Sequence, residues 1–169
     1  VKHFSDRHNN EFFIRCHTIS EPGTVTTESL IEGFRPVAEK HRMDFRLVDA
    51  RKKTRVLVMV SKISHCLVDL LHRAHVGSLP VEIVAVVSNH TDLRPLVDLY
   101  EVPFHHVPVT RDTKPRAETQ LLEFVDAYDA ELVVLARYMQ ILSDELTQQL
   151  TGRCINIHHS FLPSFKGAK

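Results

Sequence analysis

Val56-Leu57-Val58-Met59-Val60 is an unbroken apolar run, bounded by Thr54-Arg55 on one side and Ser61-Lys62 on the other. A strand with one wet face alternates apolar and polar residues, so an unbroken run predicts a strand covered on both faces. The period then changes. Cys66, Leu67, Leu70 and Leu71 recur at helical spacing, and Val81-Glu82-Ile83-Val84-Ala85-Val86-Val87 is a second buried strand ending at Ser88-Asn89-His90. A short helix follows with Leu93, Leu96, Val97 and Tyr100 inward, and Phe104 to Val107 makes a brief third strand. Pro115 opens the next helix, a usual place for proline, and Ala117, Leu121, Phe124, Val125 and Tyr128 form its apolar face. Leu132 to Ala136 is a fourth strand, Ser143-Asp144-Glu145 caps and charges a helix carrying Leu146 and Leu150, and Cys154 to Ile157 is a last strand. Such alternation implies an α/β fold with a mostly parallel sheet and helices on both faces.

Residues 1–50 read differently. They hold a short strand, Phe12 to Cys16, a loop containing Pro22-Gly23, and a helix with Leu30, Phe34, Val37 and His41 on one side. Ser29-x-x-Glu32 fits a capping box, Pro36 should kink the helix or mark a second start, and Met43 to Val48 reads as a second strand. Two strands and one helix make a poor core alone, so this is part of a small α+β domain. The charged run Asp49 to Lys53 is a solvated linker, giving domains of 1–50 and 51–169.

The totals exclude several functions. Lys plus Arg and Asp plus Glu are 21 each, which gives no reason to propose nucleic acid or an anionic membrane as partner. No apolar run approaches the ~20 residues of a membrane helix. The N-terminus has no leader-like apolar segment, and its lack of a starting Met hints at truncation. Three cysteines, Cys16, Cys66 and Cys154, form no C-x-x-C pair, so a reduced, cytoplasmic setting is expected and Cys66 reads as helix packing. Twelve histidines invite a metal, but the doublets His105-His106 and His158-His159 face opposite ways on a strand. No metal site is expected.

In open parallel sheets, ligands bind beyond the carboxyl ends of the strands. Asn156 and His158 sit at one such end, two apart, and so project side by side. An amide donor beside an imidazole can bind a developing oxyanion and move a proton, although structural roles for both residues stay open on spacing alone. The end of the preceding strand carries Arg137-Tyr138-Met139-Gln140-Ile141-Leu142, of which Met139 to Leu142 is readable either as core closure or as a slot for a flat heteroaromatic ring. The loop Ser61 to Leu67 has no glycine, which disfavours a dinucleotide or nucleoside triphosphate cofactor.

Asn156-Ile157-His158, Ser160 and Leu162-Pro163-Ser164-Phe165-Lys166-Gly167 resemble the active-site strand and loop of folate-dependent formyltransferases. Leu135-Ala136-Arg137-Tyr138-Met139-Gln140-Ile141-Leu142 resembles their pterin-binding loop. Within that superfamily, His159 to Pro163 and Arg55 to Ser61 are most similar to the formyltetrahydrofolate deformylases. Glycinamide ribonucleotide transformylases typically have proline in place of His159 and a glycine-bearing phosphate loop in place of Ser61 to Leu67.

The resemblance implies a Rossmann-like formyltransferase sheet and hydrolysis of 10-formyltetrahydrofolate to formate and tetrahydrofolate. That reaction would supply formate for purine biosynthesis and balance the one-carbon pool. Asn156 and His158 would be catalytic, and Leu135, Met139, Gln140, Ile141 and Leu142 would hold the folate. The folate is then the substrate, and no bound cofactor is implied. Residues 1–50 resemble the second half of a ferredoxin-like ACT domain, implying an amino-acid effector, and the chain is expected to be a homo-oligomer. The family's third catalytic group is an Asp placed beyond Lys169. Asp126, Asp129 and Asp144 do not match its motif, so the chain is expected to be cut at both ends and inactive alone. Two alternatives stay open: a formyltransferase acting on an amine acceptor, and a non-catalytic folate or amino-acid sensor.

Overall fold

A computed structural model describes residues 1–6, 11–19 and 25–157. The chain divides into two compact units, Val1–Ala50 and Arg51–Lys169.

In the first unit, β1 (Lys2–Asp6) and β2 (Glu11–Arg15) pair antiparallel, with Phe4 opposite Phe13. The helix α1 (Thr27–His41) runs unbroken through Pro36, so the expected second start does not occur. Its capping box lies three residues before the predicted one. Thr26 Oγ1 accepts from the Ser29 N–H at 3.1 Å, and Ser29 Oγ accepts from the Thr26 N–H at 3.2 Å. The helix ends where Arg42 turns left-handed at φ 52°, with its N–H bonded back to the Ala38 carbonyl. Two further expectations need correcting. Lys2 to Asp6 is a strand that its single apolar residue, Phe4, did not announce, and Met43 to Val48 is not a strand. The latter alternates correctly but pairs with neither β1 nor β2, and a strand exists only through its ladder. Phe45 instead packs edge-on against Phe34, ring centroids 5.0 Å apart.

The second unit follows the predicted alternation: β3 (Thr54–Val60), α2 (His65–His75), β4 (Val81–Ser88), α3 (Arg94–Asp98), β5 (Phe104–His106), α4 (Lys114–Ala127), β6 (Leu132–Leu135), α5 (Asp144–Gln149) and β7 (Cys154–Asn156). All pairings are parallel, in the order β5-β4-β3-β6-β7, so the first strand made is the central one. The register of β3 on β4 slips between Val56 and Leu57, a bulge that leaves Val84 without a partner.

Alternation along the strands builds two separate cores. Leu57, Met59, Val87, Val133 and Leu135 pack under α4 and α5 through Leu121, Val125, Leu146 and Leu150. Val56, Val58, Val60, Val86 and Val134 pack under α2 and α3 through Leu67, Leu71 and Val97. That two-sided cover is why the strands read as unbroken apolar runs. At the amino ends of the strands, Glu131 is the polar clamp. Its carboxylate accepts from the Arg55 N–H at 3.1 Å and from Lys52 Nζ at 3.2 Å, while its own N–H donates to the Arg55 carbonyl.

Candidate functional site

The carboxyl ends of β3, β4 and β6 meet in a small buried polar network. Ser61 and Ser88 are 3% and 0% exposed, and Asn89 is buried beside them. Ser61 Oγ donates to Asn89 Oδ1 at 2.8 Å and accepts from the Met139 N–H at 2.9 Å, while the Ser61 N–H donates to the Arg137 carbonyl at 3.3 Å. Arg137 sits in the left-handed region at φ 61°, unusual for a residue with a side chain, and its buried Nε has no hydrogen-bond partner among the described residues. The backbone thus leaves β6 through a strained residue and turns into the 137–142 loop.

That loop forms one wall of a cleft. Tyr138, Gln140, Ile141 and Leu142 line it, facing Val107, Val109, Lys114 and Glu118 across a floor of Met59 and Val87. Its walls are largely apolar with a few polar groups, around a space of about 10 Å³. Burial, assisted by the nearby Glu118 carboxylate, pushes the Tyr138 phenol up to about 12. Tyr138 therefore presents a neutral hydroxyl, able to donate or accept, at any physiological pH. Glu118 accepts from the Ser143 N–H at 2.9 Å, which ties α4 to the start of α5, and Lys114 Nζ lies 3.9 Å from it. Ser143 in turn caps α5 by accepting from the Leu146 N–H at 3.1 Å.

The expected residues fall in three places. Gln140, Ile141 and Leu142 line the cleft; Leu135 is a core residue at 7% exposure, and Met139 is 42% exposed outside the lining. Asn156, the last residue of β7, is exposed and pairs in register with Leu135, so it stands at a strand end beside the start of the loop. His158 lies outside the described residues. Sequence reading missed Tyr138, Lys114 and Glu118 as lining residues. A helix that opens on Lys114 and carries Glu118 one turn later, opposite an aromatic loop, was the available signal. Cys66 packs against the α2–α3 core as expected, while Cys16 is exposed and burial raises the Cys154 thiol. Among the described residues, no cluster of His, Cys, Asp or Glu could hold a metal ion, and no helix is long and apolar enough to cross a membrane.

Residues 54–169 match the family model described as formyl transferase. The chain belongs to the formyl transferase family. Its relatives differ in how much of it they match. A formyltetrahydrofolate deformylase from Corynebacterium sp. strain P-1 is 53% identical over all 169 residues, which correspond to 59% of that protein. A solved formyltetrahydrofolate deformylase from Pseudomonas syringae pv. tomato matches 99% of this chain with 44% identity and a TM-score of 0.87, over 56% of its own length. By contrast, the phosphoribosylglycinamide formyltransferase from Coxiella burnetii matches 69% of this chain and 56% of its own, at 29% identity and a TM-score of 0.62. This formyl transferase family member thus matches these two deformylases across both of its units. It spans little more than half the length of the relatives it matches.

Proposed function

We propose that the whole protein is a formyltetrahydrofolate deformylase, hydrolysing 10-formyltetrahydrofolate to formate and tetrahydrofolate. The observation that carries this reading is the 53% identity to the Corynebacterium deformylase across both units. Water adds to the formyl carbon, the bond from that carbon to N10 breaks, N10 takes a proton, and the formyl group leaves as formate. In this reading Asn156, at the exposed end of β7, donates to the formyl oxygen as negative charge develops there. His158 stabilises that oxyanion or delivers the proton to N10. Gln140, Ile141 and Leu142 hold the folate ring system through the 137–142 loop, with Leu135 shaping the strand beneath it and Met139 meeting the ligand from the exposed side.

The remaining proposals concern the whole protein. Residues 1–50 act as part of an ACT-type regulatory domain that takes an amino-acid effector, and the enzyme works as a cytoplasmic homo-oligomer without a bound cofactor, balancing the one-carbon pool.

The test is turnover of 10-formyltetrahydrofolate by the full-length protein with Asn156→Ala or His158→Ala. Each loss should lower kcat by about 10²–10³-fold. Wild-type rates in both variants would sink the assignment, and strict dependence on an added amine would favour transfer over hydrolysis.

A further inference from the structure

Ser61 is bonded in an unusual way for a residue at a strand end. It is buried, and both its amide and its hydroxyl reach the loop that follows β6. Its N–H reaches the Arg137 carbonyl at 3.3 Å, and its Oγ accepts the Met139 N–H at 2.9 Å. The two bonds flank Tyr138, which lines the cleft. Asn89 sets the direction of the second bond. By accepting the single Ser61 hydroxyl proton at 2.8 Å, it leaves an Oγ lone pair for Met139. Ser88 Oγ makes a longer contact of 3.5 Å with the Ser61 carbonyl and accepts the His90 N–H at 3.1 Å, which holds the Asn89 turn beside it.

A left-handed non-glycine residue persists only where its surroundings over-determine it. For Arg137 at φ 61°, the contacts from Ser61 act together with the bond from the Ala136 N–H to the Met59 carbonyl at 2.7 Å. We propose that Ser61, oriented by Asn89, is a positioning residue: a buried latch that fixes the 137–142 loop and so sets the shape of the ligand cleft. The ligand is the folate of the reading above; the latch itself rests on geometry alone. Ser61 touches no substrate in this scheme, and its effect reaches the ligand through the backbone on either side of Tyr138.

The experiment is Ser61→Ala in the full-length protein, read by amide hydrogen exchange and by steady-state kinetics. Removing the hydroxyl strands the Met139 N–H, so its exchange should accelerate at least about tenfold while that of Val58 in β3 stays unchanged. KM for 10-formyltetrahydrofolate should rise about tenfold with kcat nearly kept, because binding is lost and the chemical groups are untouched. Asn89→Ala should give the same split with a smaller change, and Ser61→Thr, which retains the hydroxyl, should restore Met139 protection. An unchanged Met139 exchange rate overturns the latch, even if the variant melts earlier. Faster exchange with an unaltered KM overturns it as well, since the loop would then not serve the cleft. If the wild-type protein fails to turn over 10-formyltetrahydrofolate, the proposed activity falls, and the exchange rates still decide the latch.

Discussion

The helix of the first unit and three of the helices of the second form in opposite ways. The first unit's helix, α1, carries a reciprocal capping box and a left-handed C-cap but buries a single residue, Ala38. Around it Phe4, Phe12, Phe13, Ile14, Val37 and Val48 stand between 44% and 65% exposed. In the second unit, α2, α3 and α4 have no side-chain N-cap at all, yet each drives leucine, valine or alanine into a closed core. Capping contributes about 1 kcal/mol, and one buried leucine several times that. A helix that packs well can dispense with its cap. One that packs little depends on it.

The largest expected effect breaks the contrast if it fails. Leu57→Ala, at a fully buried position under α4, should destabilise the second unit by about 2–5 kcal/mol in denaturant unfolding, whereas Phe13→Ala on the exposed hairpin should change stability by under about 0.5 kcal/mol. Equal costs would mean that the exposed aromatics of the hairpin are packed in solution. Next, Thr26→Ala should speed amide exchange in the first turn of α1, a loss of about 1 kcal/mol, while Ser64→Ala before α2 should have almost none.

The smallest effect is a pH dependence confined to the second unit. His105 stacks on Phe124 at 4.1 Å, its Nε2 lies 2.8 Å from the Tyr128 hydroxyl, and burial, then the Arg94 charge, hold its pKa below the usual 6.5. The unfolded chain therefore binds this proton more readily than the folded one, so stability present above 6.5 is lost as pH falls through 6.5 toward the depressed folded value. Thermal melts between about pH 7.5 and about pH 5.5 should show that decline, and His105→Gln should flatten it.

What the sequence made legible follows the same division. The strands β3, β4 and β6 are readable because both faces are buried, and burial writes itself as composition. Met43 to Val48 misled because alternation records a half-buried surface, and Phe45 obtains that burial from Phe34 without any partner strand. The capping box was misplaced because Ser29 is at the third helical position, not before the helix, and both Thr26 and Glu32 lie at the right spacing from it. At the site, the 137–142 loop and Asn156 were visible as strand-end residues. The Ser61–Asn89–Met139 network was not, because its members are 28 and 78 residues apart and only the parallel sheet brings them together. Tyr138 was passed over for a related reason: an aromatic residue in an apolar loop looks the same whether it closes a core or lines a cleft.

The order β5-β4-β3-β6-β7 has a consequence in time. During synthesis the central strand of this sheet emerges before its neighbours, and β4 and β5 can add to one of its edges before β6 is outside the ribosome. The opposite edge of Val56–Met59 has no partner until Leu132–Leu135 appears. For that interval a hydrophobic strand presents an open ladder, the kind of edge through which nascent chains associate wrongly. Half of the sheet is finished while its middle is still an edge.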